Sequence, residues 1–315
     1  MRIVSLLPSA TEICFSLELG DDVVGVTHEC DYPPEAQTRP HLTRSNLPEA
    51  LQTHPGTTPA PMPRRSAEID RHVRADVHAG SSLYALNGDL LEQLAPDLII
   101  TQELCAVCAV SYDIVAGAAK RLRGDPRIIS LEPSTLDDVF GTIQTVADIA
   151  GAQREAASLL ERLRSSVAML REQTRALPKL RTLLLEWTDP PMSAGHWVPE
   201  LVALAGGEAV LASPRANSQT LTWDAIASAD PDVILIAPCG YDLATARAAT
   251  RELQDAPPWK NLRAVQSGDV WVIDGSAYVN RPGPRLVDTA QIFAHALHAD
   301  ACTLGELPEN ALARA

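Results

Sequence analysis

Along the first 130 residues, short aliphatic and β-branched runs alternate with stretches whose apolar positions recur at helical spacing. Residues 2–6, 23–27, 97–101 and 127–131 read as strands, and helices are predicted near 11–19, 87–95 and 112–122. Such alternation is the mark of a parallel sheet wrapped by helices. The interval 38–82 interrupts it. It holds the Pro-rich stretch HPGTTPAPMPRR and a helix predicted over 66–77, so it reads as a surface excursion.

From Thr135 the pattern turns strongly helical, with Val139, Ile143 and Val146 on one face and Leu159, Leu163, Val167 and Leu170 on another. Gly151 interrupts the run and Pro178 ends it. About 40 helical residues at 1.5 Å each would reach roughly 60 Å, more than one small domain needs, so this segment is expected to bridge two lobes. The alternation then restarts, with strands over 180–187, 232–237 and 269–273 and helices near 197–205, 222–229 and 283–298. An internal echo supports a repeated unit: LLEQLAPDLIITQELC and AIASADPDVILIAPCG each run helix, Pro-Asp turn, apolar strand, cysteine. The expected fold class is α/β, two Rossmann-like lobes with parallel-sheet cores (1–134 and 178–315) joined by a long bridging helix (135–177), with a ligand cleft between the lobes.

Composition narrows the function. The 315 residues are 46% hydrophobic, enough for two cores, and carry a net charge of -14. That charge repels a phosphate backbone, and no basic stripe offsets it, so nucleic acid is excluded as a partner. No run of about 18 apolar residues appears, which excludes membrane insertion through such a span. The opening MRIVSLLPSATE has no long apolar stretch or small-residue cleavage site, so a cytoplasmic location is expected as written, and an extracytoplasmic one if the start is misassigned. Six cysteines are too few and too irregular for a disulfide scaffold.

The unusual residues cluster where strands end: PSATE, HECDYP, QELCAVC, EWTDPPMSAGHW, APCGYD and DGSAYVNRPGPR. Loops beyond the carboxyl ends of parallel strands are where ligands bind in open sheets. Hydrolysis would need a nucleophile, a base and an oxyanion site, yet neither G-x-S-x-G nor H-E-x-x-H occurs, and there is no P-loop or G-x-G-x-x-G after the first strand. A binding protein is favoured over an enzyme.

Taken in order, RIVSLLPSATEI, DLLEQLAPDLIIT, the helical run, GHWVPELVALAGG, ADPDVILIAPCG and RPGPRLVD resemble the helical-backbone class of ABC-importer substrate-binding proteins, whose ligands are cobalamin, iron siderophores and haem. VVGVTHECDYP, LTRSNLP, AEIDRHV, SLYALN and QELCAVCAV are similar to its cobalamin-binding branch. The resemblance implies lobes that clamp a large chelate, apolar and aromatic groups over the ring, a few polar groups fixing its orientation, and no required cofactor. Pro8, Ser9, Tyr84, Glu103, Trp187, His196, Trp197, Tyr241, Tyr278 and Arg281 are the candidate ligand residues. It also implies docking of one acidic residue per lobe on an ABC permease, at the positions of Asp89 and Glu200.

Cysteines add a second possibility. Cys30, Cys105, Cys108 and Cys239 follow strands, and with His28 they form a set suited to zinc or an iron-sulfur cluster in a cytoplasmic metal protein. The same thiolates or imidazole can instead reach the cobalt of a corrinoid. Cys14 and Cys302 read as structural, and CAVCAV also fits the start of a buried helix. A redox or hydrolytic enzyme on this scaffold ranks last.

Overall fold

The computed structural model describes residues 1–52, 64–78, 82–102, 112–120, 122, 124–254, 256–299, 301 and 306–315. The chain divides into two units. The first gathers Arg71–Pro133 and Asp137–Glu161 with the described residues before 53; the second gathers Ser134–Leu136 and Arg162–Ala315 with residues 64–70.

In the first unit, β1 (Ile3–Ser5), α1 (Pro8–Ser16) and β2 (Val23–Gly25) open the chain, followed by β3 (Thr43–Ser45). Then come α2 (Arg65–His78), whose last eight residues belong here, β4 (Tyr84–Leu86), α3 (Gly88–Leu94), β5 (Leu98–Thr101), α4 (Tyr112–Ala119) and β6 (Arg127–Ser130). The sheet order is β2-β1-β5-β6, all parallel. Ile3, Val4, Ile99 and Ile100 are fully buried, which explains why these strands read as unbroken apolar runs. Strand β3, inside the excursion, and β4, just beyond it, pair antiparallel in a small separate sheet, a pairing the polar pattern did not signal.

The helical run is two helices, α5 (Leu136–Ala150) and α6 (Gln153–Thr174). Gly151 separates them at φ 79°, a left-handed conformation that closes a helix and that side chains disfavour.

The second unit contains β7 (Leu180–Thr188), β8 (Pro191–Ser193), α7 (Val198–Leu204), β9 (Gly207–Ala209), β10 (Gln219–Thr220), α8 (Trp223–Ala229) and β11 (Val233–Ile236). It continues with α9 (Leu243–Leu253), α10 (Arg263–Ser267), β12 (Val270–Ile273), α11 (Leu286–His298) and β13 (Leu312–Arg314). Strands β7, β11 and β12 run parallel, as expected, and β9, which the sequence pattern did not mark, pairs parallel with β7. Antiparallel β8, β10 and β13 make the sheet mixed.

The internal echo is real at atomic level. Arg2 N–H donates to the Asp97 carboxylate at 2.7 Å, and Arg181 N–H donates to that of Asp232 at 2.8 Å. Each aspartate follows a helix closed by a left-handed residue, Ala95 at φ 40° and Asp230 at φ 41°. The Pro-Asp turn thus ties the start of the next strand to the start of the central one in each unit.

Candidate functional site

In both units the chain leaves the central strand to one side and later returns on its other side. Such a switch point opens a crevice beyond the strand ends. It lies between β1 and β5 in the first unit and between β7 and β11 in the second.

At the first switch point, β1 runs straight into α1, with Pro8 in the first turn, where its missing N–H costs nothing. Ser9 is 3% exposed. Beyond β5 the described chain reaches Gln102, buried, while Glu103, Cys105 and Cys108 lie outside the described residues. The turn after β2 carries His28 and Glu29. His28 Nδ1 is 2.7 Å from Thr43 Oγ1, and its backbone N–H donates to the same oxygen at 3.2 Å. Because β3 pairs with β4, Thr43 brings Tyr84 alongside: the rings of His28 and Tyr84 are 5.6 Å apart, and the phenol donates to Glu29 Oε1 at 3.1 Å. His28, Glu29 and Tyr84 form one half-buried group.

Cys30 is more deeply buried than that group. It is 2% exposed, and its Sγ lies 3.1 Å from the hydroxyls of both Thr11 and Thr27, inside the core under α1. Cys14 is buried as well, and burial pushes its thiol up to about 12, with neighbouring Cys30 adding to the rise. Cys239 is half-buried in the second unit, its N–H held by the Glu186 carbonyl. Among the described residues no group of three or more His, Cys, Asp or Glu could hold a metal ion.

At the second switch point, backbone bonds tie adjacent loops together. Cys239 N–H meets the Glu186 carbonyl at 3.0 Å and Ser276 N–H that of Tyr241 at 3.1 Å, and the side-chain amide of Asn280 donates to the Ala237 carbonyl at 3.3 Å. Gly275 permits this closeness: a Cβ there would stand 2.3 Å from the Pro238 carbonyl oxygen. On this base Trp187 and Tyr241 pack with ring centroids 5.3 Å apart. Trp187 is half-buried, whereas Tyr241 is 2% exposed. Burial pushes the Tyr241 phenol up to about 12 against the opposing Ser66 hydrogen bond and Arg65 charge.

The unexpected occupant is the start of α2. Ser66, fully buried, has its hydroxyl 2.9 Å from Thr188 Oγ1 and 3.3 Å from the Tyr241 phenol, and its carbonyl accepts the Trp187 indole N–H at 3.2 Å. Arg64, at φ 58°, pairs with Asp189 at 3.4 Å and gives its backbone N–H to Glu252 of α9. Burial raises the Glu252 carboxyl, and that hydrogen bond opposes the rise. Sequence reading missed Ser66, Thr188 and Glu252. Their only signal was a Ser at a helix start, which fits any helix.

Four further candidates are placed as follows. Trp197 is a core residue, 7% exposed, its indole N–H spent on the Val279 carbonyl at 3.0 Å. Arg281 is 8% exposed and donates to Ser276 Oγ, so little of its guanidinium faces outward. Tyr278 is half-buried beneath the Arg285 guanidinium, 5.4 Å from the ring centroid. His196 adopts φ 53°, its enclosed Nε2 has no hydrogen-bond partner among the described residues, and burial holds the ring below its ordinary pKa against an Asn217 hydrogen bond. Of the two docking carboxylates, Asp89 is exposed in the first turn of α3. Glu200 is half-buried and accepts the Leu136 N–H at 3.0 Å, capping α5.

A family described as periplasmic binding protein matches residues 3–277. The chain belongs to that family. It is 23% identical to an uncharacterized ABC transporter substrate-binding lipoprotein, YvrC, of Bacillus subtilis, over 95% of this chain and 80% of that one. It is also 23% identical to the vitamin B12-binding protein of Vibrio cholerae, over 92% and 86% of the two chains. The solved periplasmic heme-binding protein of Pseudomonas aeruginosa, at 19% identity, superposes with a TM-score of 0.71 over 100% of this chain and 99% of its own, a likeness of fold. The family is one of binding proteins, as the resemblance implied. The cytoplasmic expectation finds no support among these relatives; it rested on the first residues alone. No helix among the described residues is long and apolar enough to cross a membrane.

Proposed function

We propose that this chain is an extracytoplasmic binding protein that carries a metal chelate, cobalamin or another corrinoid first, for an ABC importer, and performs no chemistry on it. The supporting observation is the placing of rings at strand ends in a chain with only 4% aromatic residues: Tyr84 with His28 in one unit, Trp187 on Tyr241 in the other. Flat apolar faces with a few oriented polar groups suit a large chelate better than a sugar or an amino acid. Membership of a binding-protein family and the similarity to a vitamin B12-binding protein support the same reading.

In this reading Trp187 and Tyr278 are the ring surfaces of the second unit and Tyr84 that of the first, where Pro8 and Ser9 lie at the switch point. Asp89 and Glu200 are the acidic groups offered to a basic permease surface, Glu200 while also capping α5. The test is retention of colour: the protein is incubated separately with cyanocobalamin, hemin and a ferric siderophore, then desalted. Cyanocobalamin absorbance co-eluting at one equivalent supports the corrinoid assignment. Retention of hemin alone moves the ligand within the chelates, and retention of none rejects the reading.

A further inference from the structure

The switch point of the second unit, where an open α/β sheet receives its ligand, is filled by a residue from far upstream. Ser66 is fully buried there, and among the described residues its side-chain hydrogen bonds run to the groups that carry the aromatic pair: Thr188 at the end of β7 and Tyr241 after β11. Its carbonyl holds the Trp187 indole N–H. The turn is pinned from outside by Arg64, whose guanidinium meets Asp189 and whose N–H meets Glu252. Five contacts from the end of β7, the turn after it, the loop after β11 and helix α9 thus converge on Arg64 and Ser66.

We propose that Ser66 is a positioning residue for ligand recognition: the first turn of α2 sets the angle at which Trp187 presents its open face. Among the described residues the Trp187 side chain makes one hydrogen bond, to the Ser66 carbonyl; the hydroxyl bonds to Thr188 and Tyr241 decide where that carbonyl stands. Tyr241, enclosed behind Trp187, acts through it rather than by touching ligand. Recognition by the second unit is thereby set by a segment of the excursion. This proposal rests on the reading of Trp187 as a ligand surface.

Fluorine NMR of protein labelled with fluorotryptophan tests the positioning without ligand, the Trp187 resonance being identified by its loss in Trp187→Phe. Ser66→Ala shifts or broadens that resonance and leaves the other tryptophans in place; Ser66→Thr, which keeps the hydroxyl, restores it. An unmoved Trp187 resonance in Ser66→Ala overturns the proposal. Cyanocobalamin titration gives the second arm: Ser66→Ala weakens binding roughly tenfold in the wild-type background and adds nothing in Trp187→Phe, because both changes act on one group. Additive losses overturn the proposal. If the wild type binds no cyanocobalamin, the ligand assignment falls while the NMR arm still decides the positioning. Should Ser66→Ala fail to fold, Tyr241→Phe removes one of the same bonds and is read in the same two ways.

Discussion

The hydroxyl of Ser66 lies 2.9 Å from that of Thr188, 122 residues further along the chain, and both residues are buried. Ser66→Ala therefore leaves two buried hydroxyls, those of Thr188 and Tyr241, each short of a partner. A buried polar group so stranded costs about 1–3 kcal/mol. Urea denaturation should show a loss of that size, and the double variant Ser66→Ala, Thr188→Val should recover part of it. A stability equal to wild type would mean that the contact carries no weight.

The two tryptophans should behave in opposite ways. Trp187 is half-buried at the switch point, so Trp187→Ala should weaken chelate binding at least roughly tenfold, about 1.4 kcal/mol. Trp197 is interior and holds the Val279 carbonyl, so Trp197→Phe should lower stability by about 1–3 kcal/mol and leave affinity unchanged. Calorimetric titration paired with thermal melts separates the two; the reverse assignment would contradict this placement of the site.

Two glycines make a second contrast. A Cβ at Gly275 would meet backbone on the neighbouring loop, at 2.3 and 2.8 Å, and backbone cannot turn aside as a side chain can. Gly275→Ala should cost about 1–3 kcal/mol or more and disturb the loops beneath Trp187. Gly141, inside α5, has nothing within 4 Å of the same position. Gly141→Ala should stabilise the protein by about 0.5–1 kcal/mol.

Stability should also depend on pH at two identifiable groups. Burial lowers the His196 pKa below its unfolded value, so between the two values the unfolded chain binds more protons. That contribution is full above the ordinary histidine value of 6.5 and is lost as pH falls through it toward the folded value. His196→Asn, which tolerates the left-handed backbone, should flatten the acid slope. Tyr241 has the opposite sign: its folded pKa is raised from 10.0 to about 12, so its contribution is full below 10.0 and lost as pH rises through that window. Tyr241→Phe should remove that alkaline slope. Denaturation midpoints across the pH range check both.

The fold was largely legible because its central strands are buried on both faces and so appear as apolar runs: 180–187 was realised as Leu180–Thr188, and 232–237 as Val233–Ile236. The helix predicted over 66–77 forms as Arg65–His78, and that near 222–229 as Trp223–Ala229 with Thr222 as its cap. What was hidden depends on partners distant in sequence. β13 is three residues whose pairing with β12 no local pattern marks, and β8 is a short return strand after a turn. The site was less legible for the same reason. Tyr84 reaches His28 only through the β3–β4 pairing, and Ser66 reaches Trp187 across 121 residues. The threonine hydroxyls beside the Cys30 Sγ come from 3 and 19 positions away, which the sequence around Cys30 does not mark.

The most direct test of the chelate-carrier account is calorimetric titration of the purified protein with cyanocobalamin. The account predicts saturable binding of one equivalent with a Kd of about 1 μM or tighter, a free energy of roughly -8 kcal/mol, weakened at least tenfold by Trp187→Ala. No heat or absorbance change at tens of micromolar, or binding indifferent to Trp187, would contradict it.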